Sequence, residues 1–313
     1  MKNIVYVGAD VGFKALEKKI KGKNAVATPV HPDKQELSGA LAGADALLDA
    51  SMKTRITNDM IRKSEKLQII SCATTGSDHI DREELHKRSI PLRTLREDRD
   101  LLLNLTPAAE LSWALLMACA RRLPAAFDHV KSGKWSRELF AGIMLKGKRL
   151  GIIGCGRIGG WMGKYARAFG MDVAGYDPYI DRLPEGFMPV TLEELFQTSD
   201  FISVHVHLSE ETRGLVSRKL LESSGRCAVF INTSRGSVVD ESALLDCLEN
   251  GTIGAAGLDV LDGEPCIEGH PLIEYARKHD NLIITPHCGG FSPDAVALAC
   301  ARAAEKIMDT LGI

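Results

Sequence analysis

The chain has 313 residues, of which 45% are hydrophobic and 26% charged, and its formal net charge at pH 7 is −2. That length suffices for two domains, and the composition is typical of a soluble globular protein. A charge so close to zero gives no indication of a nucleic-acid partner or of an anionic membrane surface.

Nothing in the sequence indicates export, and we expect a cytoplasmic protein. Residues 1–8 are typical of a first strand rather than a signal peptide, because their apolar run is too short. No stretch approaches the length of an apolar membrane span. The eight cysteines are scattered and include no CxxC pair. Small buried thiols in a reducing compartment explain them more simply than disulfides or a bound metal.

Predicted strands and helices alternate over the first 102 residues. We expect strands at residues 3–7, 46–48, 67–71 and 91–93, and helices near residues 11–20, 33–42, 57–64 and 81–88. This alternation predicts a parallel sheet with helices on both faces. The segment has no glycine fingerprint for a pyrophosphate, so we expect it to bind something other than a dinucleotide.

The loop at residues 71–81 follows a predicted strand and enters a predicted helix, where ligands bind in a doubly wound sheet. Its small residues Thr74, Thr75 and Gly76 can turn backbone N–H groups toward an anion. The same stretch is also typical of an ordinary turn in which one of its aspartates caps the helix. Both interpretations remain open on the sequence alone.

A strongly apolar helix is predicted from Thr106, as N-cap, through Pro107 to Arg121 and Arg122, with Pro124 closing it. Apolar residues occur on nearly all of its faces, and such a helix must be buried between domains or between subunits. We therefore expect a homodimer that associates through the domain containing this helix.

A glycine fingerprint follows a short apolar run at residues 150–153, which predicts a buried strand. Gly154 suits a tight turn, and Gly156 lets a pyrophosphate approach the backbone. Gly159 lets the next helix pack closely on the strand. The spacing predicts a helix over residues 158–169 directly after the turn.

A second predicted strand at residues 171–176 ends on Asp177, which lies 18 residues after Gly159. An acid about this far from the fingerprint accepts hydrogen bonds from an adenosine ribose. Strand, turn, helix, strand and acid together therefore predict a bound dinucleotide. Methyltransferases also use glycine-rich turns and ribose-binding acids, but that alternative leaves the reactive residues further along unexplained.

Three later predicted strands each lead into a segment with a reactive side chain. The strands lie at residues 227–231, 255–258 and 282–284, and the reactive residues that follow them are Arg235, Glu264 and His287. Because parallel strands aim their carboxyl ends at one edge of a sheet, we expect these residues near the dinucleotide. Singly, each could be a surface charge, a loop acid or a satisfied histidine; together they favour a catalytic site.

An arginine, a carboxylate and a histidine at a dinucleotide site suit hydride transfer at a carbon that bears oxygen. Arginine binds a substrate carboxylate bidentately and polarises the reacting carbonyl. Histidine exchanges the proton, and a carboxylate on its other ring nitrogen orients the ring and favours its charged form. His205 and His207 alternate across a strand, so they do not face one metal ion and line the cofactor pocket at most.

The order of these motifs resembles that of the D-isomer-specific 2-hydroxyacid dehydrogenases, the family of phosphoglycerate, glycerate and D-lactate dehydrogenases. The resemblance implies that Arg235, Glu264 and His287 are the catalytic residues. We expect Arg235 and the backbone N–H groups of Thr74, Thr75 and Gly76 to form the anion site that binds the substrate. The resemblance also implies that NAD is the cofactor and is contacted by Thr75, Thr106, Gly154, Gly156, Arg157, Ile158, Gly159, Asp177, His205, His207, Thr212, Thr233, Ser234, Asp259, His287, Gly289 and Gly290.

The same resemblance implies an α/β fold of two doubly wound domains. Residues 103–287 would form a Rossmann dinucleotide-binding domain. Residues 1–102 and 288–313 would form a discontinuous, flavodoxin-like substrate domain. We expect no appended regulatory domain of the kind that some phosphoglycerate dehydrogenases carry.

Several residues depart from the family pattern. His207 stands where many members have proline, and Phe291 stands where a smaller residue is commoner. Ser51 and Cys72 occupy places where some phosphoglycerate-using members have arginines, which argues against a phosphorylated substrate. Asp177 would repel the 2′-phosphate of NADP, so we expect NAD to be preferred.

The expected function is NAD-dependent hydride transfer between the cofactor and a small 2-hydroxy acid or 2-oxo acid of the D series. Formate dehydrogenases have a similar segment at residues 76–79, but they carry glutamine at the acid position, so Glu264 argues against them. A dinucleotide-sensing binding protein, like the transcriptional corepressors built on this fold, could keep the whole trio, and it stays open as an alternative.

Overall fold

The computed structural model of the chain describes residues 1–225 and 227–313. The first elements are β1 (Lys2–Val7), α1 (Asp10–Ile20), β2 (Ala25–Val30), α2 (Lys34–Leu41), β3 (Ala46–Asp49), α3 (Asn58–Lys63), β4 (Ile69–Cys72), α4 (Glu83–Lys87), β5 (Leu92–Arg93) and α5 (Arg99–Leu103). Next come α6 (Pro107–Ala120), α7 (Leu123–Lys131), β6 (Arg149–Ile153), α8 (Arg157–Ala168), β7 (Asp172–Tyr176), β8 (Met188–Pro189), α9 (Leu192–Thr198) and β9 (Phe201–Val204). The last are α10 (Arg218–Glu222), β10 (Val229–Asn232), α11 (Glu241–Glu249), β11 (Ala255–Leu258), α12 (Pro271–Ala276), β12 (Leu282–Ile284) and α13 (Pro293–Leu311).

The chain divides into two compact units. Unit 1 consists of Met1–Leu105 and Gly290–Ile313, and unit 2 consists of Thr106–Gly289. The predicted domain boundaries followed residues 102 and 287, and the divisions in the structure follow residues 105 and 289.

Unit 1 contains a five-stranded parallel sheet in the order β2-β1-β3-β4-β5. This is the flavodoxin-like strand order that the family resemblance implied. Strands β3 and β4 are buried along their whole length, as expected of strands covered on both faces. Helix α13 packs on α1 and β4, so the two ends of the chain contribute to one core.

Unit 2 contains a seven-stranded parallel sheet in the order β12-β11-β10-β9-β6-β7-β8. The direction of winding reverses between β6 and β9, and ligands bind outside the carboxyl ends of the strands at such a point. Two doubly wound α/β units, one of them a Rossmann domain, confirm the predicted fold class.

Helix α6 packs on β10, β11 and α8 of its own unit. Leu115 and Leu116 lie in the core that it forms with the sheet. Much of its apolar surface is therefore buried within unit 2, while Leu111, Trp113 and Met117 stay half-buried. A helix that covers the face of a fully buried sheet needs few polar residues, which accounts for much of its apolar composition.

The ends of this helix also differ from the prediction. Helix α6 ends at Ala120, and Pro124 lies in the first turn of α7 instead of closing α6. Proline is favoured there because a first-turn N–H has no partner within its own helix. Thr106 occupies the N-cap position, but its hydroxyl donates to Glu110 over 2.5 Å and makes no cap hydrogen bond.

One stretch, Arg99–Ala120, is long and apolar enough by length and composition to cross a membrane. This corrects the prediction that no stretch approaches a membrane span. The stretch contains α5 and α6, separated by a turn at residues 104–106. A single such stretch is weak evidence for a membrane, because a helix that contributes to a protein core passes the same test.

Candidate active site

The turn between β6 and α8 has the backbone geometry that a dinucleotide needs. Gly154 has a φ of 87°, and a Cβ there would lie 2.7 Å from the carbonyl carbon of His205. A Cβ on Gly159 would lie 2.9 Å from Cγ2 of Ile152 on the preceding strand. Around Gly156, sequence neighbours aside, no described atom would lie within 4 Å of a Cβ. The backbone there is open to a ligand such as a pyrophosphate.

Arg157 and Ile158 begin α8 directly after this open backbone, and Ile158 is half-buried. Burial lowers the pKa of the Arg157 guanidinium, although an arginine stays charged at any ordinary pH. A partly buried positive charge at the start of a helix, beside open backbone, fits an anionic pyrophosphate.

Asp177 is held against the fingerprint turn through both of its carboxylate oxygens. Oδ2 accepts a hydrogen bond from the N–H of Cys155 over 2.9 Å, and Oδ1 accepts one from the N–H of Tyr179 over 3.0 Å. The half-buried carboxylate lines a cavity of about 550 Å³ among residues 175–190, which Arg182 also lines. This placement suits an acid that accepts hydrogen bonds from ribose hydroxyls.

His205 is half-buried, and its ring is uncharged at neutral pH. Its Nε2 lies 2.7 Å from the hydroxyl oxygen of Ser203, and its Nδ1 is buried without a partner among the described residues. Burial lowers the pKa of His205 to about 3. The exposed His207 accepts a hydrogen bond at its carbonyl from the Thr212 hydroxyl over 2.6 Å. These contacts shape the loop after β9, and the His205 ring carries no charge toward a cofactor.

Arg235 stands in a loop that is held by the side chain of Asn232. The Asn232 amide donates to the carbonyl of Arg235 over 3.0 Å, and its Oδ1 accepts from the Ser234 hydroxyl over 2.7 Å. The Arg235 Nη1 donates to the Ser234 carbonyl over 2.7 Å. The hydroxyl oxygens of Thr233 and Ser112 lie 2.7 Å apart and tie the loop to α6. Arg235 is half-buried.

His287 and Glu264 form a close pair, as their positions after two neighbouring strands predicted. Nδ1 of His287 lies 2.5 Å from Oε1 of Glu264, and the two side chains are 35% and 27% exposed. Because Nδ1 faces the carboxylate, a proton exchanged with a ligand would be carried by Nε2. The structure also brings the Arg235 loop to this pair, because Gly236 packs against the backbone of residues 261–262 in the turn before Glu264.

Asp259 uses its carboxylate to hold the loop that carries His287. The hydroxyl of Thr285 donates to Oδ1 over 2.5 Å, and the N–H of Cys288 donates to the same oxygen over 2.9 Å. The N–H of Gly289 donates to Oδ2 over 2.8 Å. Asp259 is only 1% exposed. Asp259, which the family resemblance assigned to the cofactor, is thus hydrogen-bonded to the backbone that follows His287.

In unit 1, the loop with Thr74 and Gly76 is closed by a hydrogen bond from the Thr74 hydroxyl to the Gly76 carbonyl over 2.8 Å. Its far end is anchored by His79, whose Nε2 lies 2.5 Å from Oδ2 of the buried Asp49. The alternative that an aspartate of this loop caps the next helix is wrong, because Arg82 occupies the N-cap of α4.

Two residues near the catalytic trio escaped the sequence interpretation. Glu241 and His270 form a pair at 3.1 Å, with both side chains 14% exposed. Glu241 also accepts a hydrogen bond from the backbone N–H of Asp262 over 3.0 Å. The available signal was weak: an acid that follows a helix N-cap and a histidine that precedes a proline at a helix start.

Two family models match the sequence. Residues 113–289 match the NAD-binding domain of the D-isomer specific 2-hydroxyacid dehydrogenases, and residues 6–94 match the catalytic domain of the same family. The first match lies within unit 2 and contains the fingerprint turn, and the second lies within unit 1.

Named relatives and solved structures agree with these matches. The chain is 39% identical over 282 residues to a D-3-phosphoglycerate dehydrogenase from Methanocaldococcus jannaschii, a match that covers 89% of this chain and 52% of that protein. It is 35% identical over 315 residues to a hydroxypyruvate reductase from Thermotoga maritima, a match that covers 99% of this chain and 98% of that protein. A crystal structure of a protein from Thermus thermophilus superposes with a TM-score of 0.86 at 33% identity, covering 99% and 97% of the two chains.

The chain spans about half the length of the curated D-3-phosphoglycerate dehydrogenases that it matches, and nearly all of the hydroxypyruvate reductase. The fingerprint turn, the open backbone at Gly156 and the family match to an NAD-binding domain agree on NAD as the cofactor. The predicted family is confirmed: the chain belongs to the D-isomer specific 2-hydroxyacid dehydrogenases.

Proposed function

We propose that the protein catalyses NAD-dependent hydride transfer between a small 2-hydroxy acid of the D series and the corresponding 2-oxo acid. The observation that carries this proposal is the contact between His287 and Glu264, at the carboxyl ends of strands in the same sheet as the fingerprint turn. A histidine and carboxylate pair beside a dinucleotide site can move a proton while hydride moves to or from the substrate carbon.

When bound, NADH supplies the hydride and NAD accepts it. In the reducing direction, Arg235 holds the carboxylate of the 2-oxo acid and polarises its carbonyl group. The charged ring of His287 donates its Nε2 proton to the carbonyl oxygen as hydride reaches the carbonyl carbon. The products are the hydroxy acid, NAD and a neutral ring. In the oxidising direction the neutral Nε2 takes the hydroxyl proton, and Glu264 stabilises the ring charge that forms.

We propose that the substrate lacks a phosphate, and that hydroxypyruvate is the first acid to test. The relative that this chain spans almost completely is named a hydroxypyruvate reductase. In unit 1, Cys72 is fully buried and the Ser51 hydroxyl donates to Asp49 over 3.0 Å, so neither residue offers a cation to a phosphate. Arg55, a cation in the loop after β3, pairs with Asp81 at 2.8 Å.

We propose that Thr74, Thr75 and Gly76 contribute backbone N–H groups to substrate binding. All three residues are half-buried just after the carboxyl end of β4. The internal hydrogen bond from Thr74 to Gly76 shapes the turn, and the carboxyl end of a parallel strand is the usual place for a ligand.

We propose a homodimer that associates through unit 2, in the cytoplasm. Large apolar side chains are exposed along residues 123–144, among them Trp135 at 87%, Met144 at 75% and Phe127 at 63%. Exposed apolar residues grouped in this way mark a protein interface. The eight cysteines are free thiols, which supports a reducing compartment.

The proposed activity is tested by following NADH oxidation with a panel of 2-oxo acids: hydroxypyruvate, glyoxylate, pyruvate and the phosphorylated form of hydroxypyruvate. We expect turnover with at least one unphosphorylated acid. NADH oxidation should be more efficient with that acid than with the phosphorylated one. The His287→Ala variant, which keeps the cofactor turn intact, serves as the control and should bind NADH with little turnover. Absence of turnover with every acid would refute the proposed activity, and a strong preference for the phosphorylated acid would refute the substrate.

A further inference from the structure

Glu241 and His270 form a largely enclosed pair behind the turn that carries Glu264. Oε2 of Glu241 lies 3.1 Å from Nε2 of His270, and each side chain is only 14% exposed. Glu241 is the first residue of α11, and His270 is the N-cap of α12. Neither residue belongs to the catalytic trio.

The hydrogen bonds around this pair require a carboxylate. The backbone N–H of Leu272 donates to Nδ1 of His270 over 3.3 Å, so the neutral ring carries its proton on Nε2 and donates to Glu241. The N–H of Asp262 donates to the other oxygen of Glu241 over 3.0 Å. Glu241 therefore faces two donors, and only an ionised carboxylate offers an acceptor to each.

The titratable groups that face Glu241 are His270, from the start of α12, and Asp262, from the turn after β11. Burial raises the pKa of Glu241, and the hydrogen bonds from the Asp262 N–H and from His270 oppose that rise. A half-buried carboxylate kept at this place by two donors is a specific arrangement and not a solvated surface acid.

The turn that Glu241 holds carries the acid that faces His287. The N–H of Leu261 donates to Oε2 of Glu264 over 3.4 Å, and the N–H of Glu264 donates to the Leu261 carbonyl over 3.4 Å. The N–H of Asp262, the next residue, is the group that Glu241 binds. Fixing that N–H therefore fixes the turn from which the Glu264 side chain extends.

The same turn lies against the loop of Arg235. A Cβ on Gly236 would lie 2.7 Å from the carbonyl oxygen of Leu261, so the two backbones are in direct contact. The Ser237 hydroxyl donates to the carboxylate of Asp262. A displacement of residues 261–262 would therefore disturb the segments that carry both Glu264 and Arg235.

We propose that Glu241, with His270 as its partner, is a positioning residue that sets the Glu264 carboxylate on the ring of His287. The proposal rests on the proposed function, because it assigns a role in the same proton transfer. Glu241 acts through the backbone of Asp262 and does not touch the substrate or the cofactor.

The first test is the Glu241→Gln variant, because a glutamine presents its NH2 group to one of the two donors. We expect kcat for 2-oxo acid reduction to fall about tenfold and the NADH dissociation constant to stay within about twofold. We also expect the reduction rate to decline at lower pH than in the wild type, because Glu264 supports the charged ring less well. Glu249→Gln, at the exposed end of the same helix, is the matched control and should match the wild type.

The second test is rescue. In the His270→Asn variant an asparagine still caps α12, but the donor that faces Glu241 is gone. The double variant Glu241→Gln/His270→Asn lets the glutamine oxygen accept from Asp262 with its NH2 group facing no donor. We expect the double variant to have a higher kcat than Glu241→Gln alone. A double variant with a kcat no higher than that of Glu241→Gln would overturn the proposal. So would a Glu241→Gln enzyme with the kcat and pH profile of the wild type, or one whose NADH affinity falls as much as its kcat.

A measurement without turnover separates this proposal from the proposed function. The ¹⁵N imidazole resonances of His287 are followed against pH in the wild type and in Glu241→Gln. We expect the midpoint for His287 to move to lower pH in the variant, whether or not a substrate has been found. If no 2-oxo acid is turned over but the His287 midpoint moves, the proposed activity alone is refuted. If the His287 midpoint does not move, the positioning role is refuted.

Discussion

Nδ1 of His287 lies 2.5 Å from Oε1 of Glu264, and His287 faces that carboxylate from a backbone with a φ of 51°. A left-handed conformation costs a residue with a Cβ about 1 kcal/mol or more. The surroundings hold it here, because Asp259 binds the N–H groups of Cys288 and Gly289 directly after the histidine. The orientation of the ring thus depends on two carboxylates, one bonded to the ring and one to the backbone that follows it.

Replacing Glu264 by glutamine keeps the shape of the side chain and removes its charge. We expect the reduction of a 2-oxo acid to decline at lower pH than in the wild type. The charged ring that reduction needs loses its neighbouring carboxylate. Oxidation of the hydroxy acid, which needs the neutral ring, should stay active further into acid. The measurement is the pH profile of kcat/KM in both directions.

Glu268→Gln is the matched control, because Glu268 is an exposed acid close to Glu264 in the sequence. Its pH profiles should equal those of the wild type. His287→Ala should lower kcat by about 10²–10⁴, the usual range for the loss of a general acid. Unmoved profiles in Glu264→Gln would show that another group governs the protonation of His287.

Replacing Asp259 by asparagine tests how the His287 loop is held. One amide oxygen cannot accept from Thr285, Cys288 and Gly289 as the two carboxylate oxygens do. At least one buried donor should lose its partner, at a cost of about 1–3 kcal/mol in the free energy of unfolding. We expect kcat to fall about tenfold or more as well, because His287 stands inside the loosened segment.

Tryptophan fluorescence in urea measures this loss of stability, because all three tryptophans, at residues 113, 135 and 161, lie in unit 2. Asp280→Asn replaces an exposed aspartate of the same unit and should leave the unfolding curve unchanged. A variant at Asp259 that loses NADH affinity but keeps its stability would support the cofactor contact instead.

Local patterns could be predicted from the sequence, and tertiary contacts could not. The strand, glycine turn, helix and acid from residue 150 to Asp177 lie within one βαβ unit, so their spacing alone determines their arrangement. The positions of Arg235, Glu264 and His287 after the ends of strands followed from the parallel alternation. The contact between Glu264 and His287 needed only the neighbouring order of β11 and β12.

Two of the edge strands, β2 and β8, and one long-range pair escaped prediction for a physical reason. Strand β2 lies at the edge of its sheet, is largely exposed and contains Pro29, so it lacks the apolar run of a buried strand. Strand β8, at the edge of the other sheet, is two residues long. Glu241 and His270 meet only because α11 and α12 pack together, and neither residue stands in a recognisable motif.

The ring of His205, whose Nδ1 is buried, should make unit 2 less stable in acid. Burial lowers the pKa of His205 to about 3, whereas an unperturbed histidine has a pKa of 6.5. Below pH ~6.5 the unfolded state binds a proton that the folded state does not, so stability falls as the pH falls toward ~3. The contribution of this one residue is at most about 1.4 kcal/mol per pH unit.

The His205→Gln variant removes the titrating group and keeps a polar side chain that can reach Ser203. Its stability should decline less steeply between about pH 6.5 and pH 4 than that of the wild type, as measured by urea unfolding with tryptophan fluorescence. His279→Gln replaces an exposed histidine of the same unit and should keep the wild-type slope. Equal slopes for wild type and His205→Gln would show that the ring is protonated in the folded protein.

The exposed apolar residues of unit 2 should mediate dimerisation. Replacing Trp135, which is 87% exposed, by glutamate places a charge in the proposed interface. We expect sedimentation velocity to show a dimer for the wild type and a monomer for Trp135→Glu, because a buried unpaired charge costs several kcal/mol. Ala114→Glu, at an exposed position of α6, tests the helix from which the sequence analysis inferred a dimer. Leu298→Glu, at an exposed leucine of unit 1, is the control and should remain dimeric.

The position of Asp177 should make NADH the preferred cofactor. Its carboxylate is held next to the fingerprint turn by the N–H groups of Cys155 and Tyr179, and a 2′-phosphate on the ribose would meet this fixed negative charge. We expect kcat/KM with NADPH to be about tenfold lower than with NADH, or lower still, since like charges at close range cost a few kcal/mol. Comparable efficiency with the two cofactors would contradict this prediction.

Two variants assign the preference to Asp177. Asp177→Ser removes the charge, and we expect it to raise the ratio of NADPH to NADH efficiency about tenfold or more, with help from Arg182 in the same cavity. Adding Arg182→Ala should cancel most of that gain, because the remaining site offers the phosphate no cation from this loop. Asp172→Asn, at an exposed position on β7, is the control and should leave the ratio unchanged. If Asp177→Ser leaves the ratio unchanged too, the discrimination against NADPH lies in the shape of the cavity and not in this charge.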